Sequence, residues 1–201
     1  MCPADGGPEV KLSSRAGFEV GQPDWSPDGF QLIFVAINPR TGRFRPIMID
    51  IDPEAGRTVK QHDFDVPGVD GDVLSAAYSM LSPGVALMER IADGSLRIWI
   101  VDIETRVKRL LTEGHHAQTE GFGVDFDPWS DSLVFAALDG EHHPLFSIAT
   151  GGSATPPRRL TNLTDEGYVP QFSTDGERMA FTVYAHTKTV KRAAWPAGPE
   201  R

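Results

Sequence analysis

The 201-residue sequence contains one cysteine, Cys2, so no disulfide can form within the chain. It has no apolar run near the ~20 residues of a membrane-spanning helix, and no helix-period stretch longer than two turns. Basic residues are scarce, 19 against 28 acidic ones, and the formal net charge of −9 disfavours nucleic acid and anionic lipid as partners. The 20 glycines and 16 prolines are typical of short strands joined by tight turns.

Residues 1–10 are small and acidic, which is not the pattern of a signal peptide. We therefore expect no targeting signal there. Acylation of Cys2, as in a lipoprotein, is the alternative.

An aromatic residue, followed nine positions later by a second apolar residue, recurs four times. The aromatic anchors are 53, 48 and 46 residues apart (78 − 25, 126 − 78, 172 − 126), close to the ~40 to 50 residues of one propeller blade. The sequence therefore predicts an all-β fold, a β-propeller of four recognisable four-stranded blades in a single domain over residues 1–201. The pairs are Trp25 and Phe34, Tyr78 and Leu87, Phe126 and Phe135, and Phe172 and Phe181; the blades are expected at about 15–62, 72–112, 121–161 and 167–194.

Within each blade we call the four expected strands a to d, from the innermost outwards. Between strands a and b, Ser26-Pro27-Asp28-Gly29 fits a type I turn, and Ser173-Thr174-Asp175-Gly176 repeats it. Asp28 and Asp175 are also conceivable calcium ligands, although the turn accounts for them without an ion. The second copy, residues 81–84, has lost the aspartate, and in the third Trp129 occupies the turn and is expected to be partly exposed.

The fourth copy has room for only three strands before the C-terminal tail. Residues 9–13 match the d-strand segments of the second and third copies. We expect this N-terminal strand to pair with the last blade and close the ring, removing two sheet edges. The alternative is an incomplete propeller.

These residues resemble a known family. Residues 23–29 (Pro-Asp-Trp-Ser-Pro-Asp-Gly), with Phe34, the segment 47–50 and the Arg-Leu-Thr of 159–161, are similar to the PD40 (WD40-like) repeat of TolB-like propellers and of dipeptidyl-peptidase-like proteins. The resemblance implies a protein-binding module of the periplasm or outside the cell, whereas the missing signal peptide favours the cytoplasm. TolB-like propellers have six blades and this chain supplies four. The peptidase relatives need a Gly-x-Ser-x-Gly elbow, which the sequence lacks, so neither an enzyme nor a cofactor is expected.

All six histidines are expected on one face of the propeller, where the d–a and b–c loops emerge: His62, His115, His116, His142, His143 and His186. Imidazoles beside carboxylates can bind zinc or nickel, and the weak candidate ligands are His116, His142, His143, Asp139 and Glu141. The alternative is that loops simply collect polar residues. Adjacent histidines also point opposite ways in an extended segment, so each pair offers one ligand.

The aromatic anchors have two interpretations, a binding cage or a blade core. Their recurrence at blade period favours the core, which predicts a cost of about 3–5 kcal/mol for Trp25→Ala. Trp99 and Phe146 are expected in the core as well.

The sequence thus predicts a non-catalytic module that binds a protein or peptide partner on the histidine face. The alternatives are a metal-dependent hydrolase or another enzyme using that face, and a fragment of a larger propeller protein. An open ring would also favour a homodimer.

Overall fold

The computed structural model describes residues 12, 19–20, 22–116, 123–140, 142–151, 156–161, 166–184 and 188–194, with backbone alone for residues 19–20, 116, 166–168, 183–184 and 188–194. These residues form sixteen strands and turns, without a helix. The strands are β1 (Glu19–Val20), β2 (Asp24–Trp25), β3 (Gln31–Ile37), β4 (Phe44–Asp52), β5 (Arg57–Asp63), β6 (Asp72–Tyr78), β7 (Gly84–Arg90), β8 (Ser95–Asp102), β9 (Lys108–His116), β10 (Val124–Phe126), β11 (Ser132–Ala136), β12 (Leu145–Ala149), β13 (Arg158–Arg159), β14 (Glu166–Phe172), β15 (Arg178–Tyr184) and β16 (Lys188–Ala194).

The strands form four antiparallel sheets, and each sheet follows the order of the chain. The sheets are β1 and β2 with β3–β4–β5, then β6 to β9, β10 to β13, and β14 to β16. In every sheet the aromatic anchor pairs with the residue seven positions later, as in Trp25 with Leu32 and Phe172 with Met179. The predicted all-β propeller of four blades is confirmed, with three described strands in the last blade.

The blades stack face to face, because alternate side chains of a strand enter different cores. In β7, Val85 and Leu87 pack toward the first blade, whereas Ala86 and Met88 pack toward the third. In β11, Phe135 faces the second blade and Val134 faces the fourth. Strands buried on both faces need apolar residues at consecutive positions, which explains the weak alternation in the sequence.

Side chains also join the inner strands of successive blades. The Asp24 carboxylate accepts a hydrogen bond from the Tyr78 backbone N–H at 2.6 Å, and Asp125 accepts one from the Phe172 N–H at 2.7 Å. Between the second and third blades, Ser75 Oγ accepts the Val124 N–H at 3.2 Å. Each bond fixes the start of one blade against the blade before it.

The predicted a–b turns form as expected in the first and last blades. Ser26 Oγ donates to Asp28 Oδ1 at 2.6 Å, and Asp28 Oδ1 also accepts the Phe30 N–H. Ser173 and Asp175 repeat this arrangement. In both turns the serine hydrogen bond lowers the pKa of the aspartate, and the glycine has a positive φ of 75° or 66°. The turn interpretation of Asp28 and Asp175 therefore explains their positions.

The other two turns reach similar shapes with different side chains. In the third blade Asp127 accepts bonds from the Trp129 N–H and from Ser130 Oγ. In the second blade Ser79 Oγ accepts the N–H groups of Leu81 and Ser82. In both turns the acceptor is the first residue of the turn, whereas in the first blade the acceptor aspartate, Asp28, is the third.

The ring of described strands is open, since no strand of the first blade contacts a strand of the fourth. Of the expected closing strand 9–13, only Leu12 lies within the described residues. Leu12 packs on the face of the first blade that points away from the second blade, beside Leu32, Phe34 and Ile49. Its carbonyl accepts a hydrogen bond from Thr58 on β5. The contact that the structure describes is thus with the first blade; pairing with the last blade stays a prediction.

Candidate functional site

The described histidines lie at the end of the sheets where the b–c hairpins emerge. His62 lies on β5, His115 and His116 at the end of β9, and His142 and His143 between β11 and β12. Register confirms this placement for β9, because His115 pairs with Leu96 at the start of β8. Three histidines expected in the d–a loops thus lie on d strands, His62 on β5 and His115 and His116 on β9. His186 and Glu141 lie outside the described residues, as does the side chain of His116.

The side chains of this face do not converge on one point. The His115 ring packs against the rings of Phe135 and Phe146, with centroids 5.5 and 5.3 Å away. His143 is 1% exposed, and Asp139 forms an ion pair with Arg159 at 2.8 Å. Among the residues with described positions, no three His, Cys, Asp or Glu side chains are grouped so as to hold a metal ion.

The opposite face, formed by the a–b turns, has a central cavity of about 410 Å³. The inner strands of all four blades contribute to it, with Trp25, Tyr78, Phe126 and Phe172 in its wall. The remaining lining residues are Asp24, Ser26, Pro27, Met80, Asp125, Pro128, Gln171, Ser173 and Thr174. The four aromatic anchors therefore meet at one site, as in the less favoured interpretation of the sequence pattern.

The anchors differ in burial, and for Trp25 the core prediction is wrong. Tyr78 and Phe126 are 2% and 6% exposed, Phe172 is half-buried, and Trp25 is 39% exposed. Tyr78, Phe126 and Phe172 each pack on the core shared with the preceding blade. Trp25 belongs to the first blade, so within the described part of the chain no earlier blade covers it. Phe146 is buried as predicted, and Trp99 is half-buried, with Lys108 Nζ 4.5 Å from its ring centroid.

Exposed apolar side chains gather on this same face. Of the eight exposed large apolar residues among those described, five lie at the ends of strands a or in the a–b turns, namely Trp25, Phe30, Met80, Leu81 and Trp129. Trp129 is 55% exposed, in agreement with the prediction, and its ring lies against the backbone of Gly176 in the next turn. Trp25 and Met80 also line the cavity, and exposed apolar side chains that share one face are typical of an interaction site. We call the five residues the apolar rim.

Two carboxylates in the cavity wall are shielded from water. Burial raises the pKa of Asp24, against the effect of the hydrogen bond from the Tyr78 N–H. Burial also raises the pKa of Asp125 to about 7, with a further contribution from the negative charge of Asp24. The hydroxyl of Tyr78 lies 3.4 Å from Gln31 Oε1, and burial raises its pKa too.

The sequence contains a signal for these carboxylates at the position before each anchor. The residue before each anchor is Asp24, Ala77, Asp125 and Gln171 in turn, so a carboxylate occurs in alternate copies. In a propeller the strand before the a–b turn is the innermost one, which brings such residues close to the axis. Repeated carboxylates at that position predict an acidic centre.

No protein-family model matches the chain, and no curated protein matches it in sequence. Solved structures do match the fold. TolB from Agrobacterium tumefaciens is 14% identical, with a TM-score of 0.60 over 88% of this chain and 77% of that one. A puromycin-hydrolyzing peptidase of Mycobacterium tuberculosis is 16% identical, with a TM-score of 0.60 over 91% of this chain and 30% of the peptidase. The β-propeller domain of Myceliophteria thermophila Cps50 (Swd1) is 11% identical, with a TM-score of 0.53 over 87% and 51%.

Proposed function

The fold is that of TolB-like and WD40-like β-propellers, and we propose that the chain is a non-catalytic module that binds a peptide, or a peptide segment of a protein, on the a–b turn face. The observation that supports this most directly is the central cavity, with Trp25 and Met80 of the apolar rim in its wall. Aromatic residues and methionine are enriched at protein interfaces, and a partner segment would remove them from water. The similar peptidase is matched over only 30% of its length, and its activity is no part of the proposed function.

The a–b turn face fits a partner better than the face with the histidines. His115 and His143 are committed to packing within the blades, and Asp139 is paired with Arg159. By contrast, Trp25, Met80 and Leu81 are held on strand ends and turns whose backbone is fixed by internal hydrogen bonds. A rigid apolar surface loses little conformational entropy on binding.

The cavity also lacks a constellation for nucleophilic catalysis among the described residues. Its two turn serines, Ser26 and Ser173, each donate to a turn aspartate and accept a backbone N–H from the following strand. No histidine belongs to the lining that could activate them. Both hydroxyls therefore act as turn-forming groups.

A peptide-display library panned against the purified chain tests the proposal. Selected peptides should lose at least about ten-fold in affinity with Trp25→Ala or Met80→Ala, since each removes an interface aromatic or methionine worth more than about 1.4 kcal/mol. His142→Ala, on the opposite face, is the matched control and should leave the affinity unchanged. Selection of no peptide, or peptides sensitive only to His142→Ala, would overturn the assignment.

A further inference from the structure

The cavity on the a–b turn face combines two carboxylates with no basic side chain. Of its thirteen lining residues, Asp24 and Asp125 are acidic and none is lysine, arginine or histidine. Neither carboxylate takes part in an ion pair among the described residues. Shielded carboxylates are usually paired with a cation, because burial without one is costly.

The hydrogen bonds to these carboxylates hold them in place and leave acceptor capacity. Asp24 Oδ2 accepts the Tyr78 N–H, while Asp125 accepts the Phe126 N–H at 2.9 Å and the Phe172 N–H at 2.7 Å on separate oxygens. Each carboxylate oxygen can accept a second bond, and a backbone N–H contributes only a partial charge. The carboxylates are thus oriented by the fold but not neutralised by it.

The aromatic wall supplies the second feature that suits a cation. Trp25 is partly exposed beside the carboxylates, and Phe126 and Phe172 complete the wall with Met80. The faces of aromatic rings attract ammonium and guanidinium groups, tryptophan most strongly. The net charge of −9 adds a long-range attraction for basic ligands.

We propose that this cavity binds the basic side chain, arginine or lysine, of the peptide partner, with the charge against Asp24 and Asp125 and the alkyl stem along the aromatic wall. The inference rests on the proposed function, since it names the chemistry of the partner at the same surface. It goes further by predicting a requirement for positive charge.

The proposal carries a pH dependence whose direction follows from the surroundings of Asp125. Asp24 is the charge that acts on it, and both gain negative charge as the pH rises. Tyr78 has a raised pKa and stays neutral in this range, while Asp28, Asp127 and Asp175 near the rim are bonded within their own turns. A basic ligand should therefore bind more tightly as the pH rises through about 7.

Two small probes separate charge from shape: N-acetyl-arginine methylamide and its neutral isostere, N-acetyl-citrulline methylamide. Binding is followed by the ¹H–¹⁵N resonances of the Tyr78 and Phe172 amides and of the Trp25 indole. The arginine probe should shift all three saturably, with up to about ten-fold higher affinity at pH 8 than at pH 6, as expected if only the ionised form of one group with a pKa near 7 binds. The citrulline probe should shift none. Equal binding of both probes, or no shift by arginine, would overturn the proposal.

Asp24→Asn provides an independent test, because its amide oxygen can still accept the Tyr78 N–H. It should weaken the arginine probe several-fold, whereas Asp63→Asn, an exposed carboxylate on the opposite face, should not. If Asp24→Asn fails to fold, the pH and citrulline comparisons on the unmodified chain decide alone. Library peptides that need Trp25 but bind equally well without basic residues would leave the proposed function standing and refute this inference. If the arginine probe binds while no peptide does, the basic-group site stands and the proposed peptide-binding function is refuted.

Discussion

Ionisation of Asp125 should destabilise the folded protein as the pH rises from about 4 to about 7. In the unfolded chain its carboxyl has its ordinary pKa of 3.8, whereas burial raises the folded-state pKa to about 7. Between these values the folded state keeps a proton that the unfolded state has lost. The contribution of this group is therefore fully present below pH 3.8 and lost as the pH rises through 7.

The size of the effect follows from the shift. One bound proton of difference corresponds to a slope of about −1.4 kcal/mol per pH unit in the free energy of unfolding. Over about three pH units the loss approaches 4 kcal/mol, an upper bound because the side chain is not fully buried. Asp28, Asp102 and Asp175 have lowered pKa values and act in the opposite sense, losing their contribution only as the pH falls below about 4. The two windows do not overlap.

Urea unfolding measured by far-UV circular dichroism, at half-unit steps of pH and constant ionic strength, tests this reasoning. Asp125→Asn is the reference, since asparagine does not titrate and groups that the substitution does not affect contribute equally to both proteins. The variant gives up one of two accepted backbone bonds, which adds an offset independent of pH. The difference, wild type minus variant, should fall between pH 4 and 7 and level off above. A flat or rising difference would show that the carboxylate is stabilised by its N–H donors as much as it is penalised by burial.

Two further predictions compare matched sites. Phe135→Ala removes a side chain that is 0% exposed and should cost about 3–5 kcal/mol in urea unfolding, whereas Trp25→Ala should cost less than half as much; equal costs would refute the exposed placement of Trp25. Gly29→Ala and Gly176→Ala both force a side chain to positive φ, at about 1 kcal/mol, but only at Gly176 would the new Cβ meet a ring, 2.3 Å from Trp129 Cδ1. Gly176→Ala should therefore be the more destabilising and should alter tryptophan emission; equal stability would mean that Trp129 does not lie on that turn.

Much of the fold could be predicted because each blade repeats the same a–b hairpin. The a–b hairpin depends on a short turn and on apolar positions at fixed distances from it, and in all four sheets each anchor pairs with the residue seven positions later. The length of β9 could not be predicted in the same way. It extends to His116 because His115 packs on Phe135 and Phe146 of the next blade, a contact between residues that are 20 and 31 positions apart (135 − 115, 146 − 115).

The candidate site was harder to predict, since the sequence periodicity treats all four copies as equivalent. Whether an anchor is buried depends on the blade that precedes it, and Trp25 has none among the described strands, whereas Tyr78 has the first blade. The sequence pattern correctly identified Trp25 as equivalent to the other anchors in position. It could not show that this position is covered by a preceding blade at Tyr78 and exposed at Trp25.

The a–b turns explain how one repeat can serve both the fold and binding. Each turn is held by hydrogen bonds between its own residues. These bonds join serine to aspartate in the first and last blades and are accepted by Asp127 or Ser79 in the others. Because these bonds do not involve the side chain of Leu81, an apolar residue can be exposed at that position at little cost to stability. Exposure of apolar surface to water is unfavourable, and a bound partner would remove that surface from water.

Leu81→Ser should therefore weaken peptide binding, while the free energy of unfolding in urea stays within about 0.5 kcal/mol of wild type, as for ordinary surface positions. A large loss of stability would mean instead that the rim belongs to the fold.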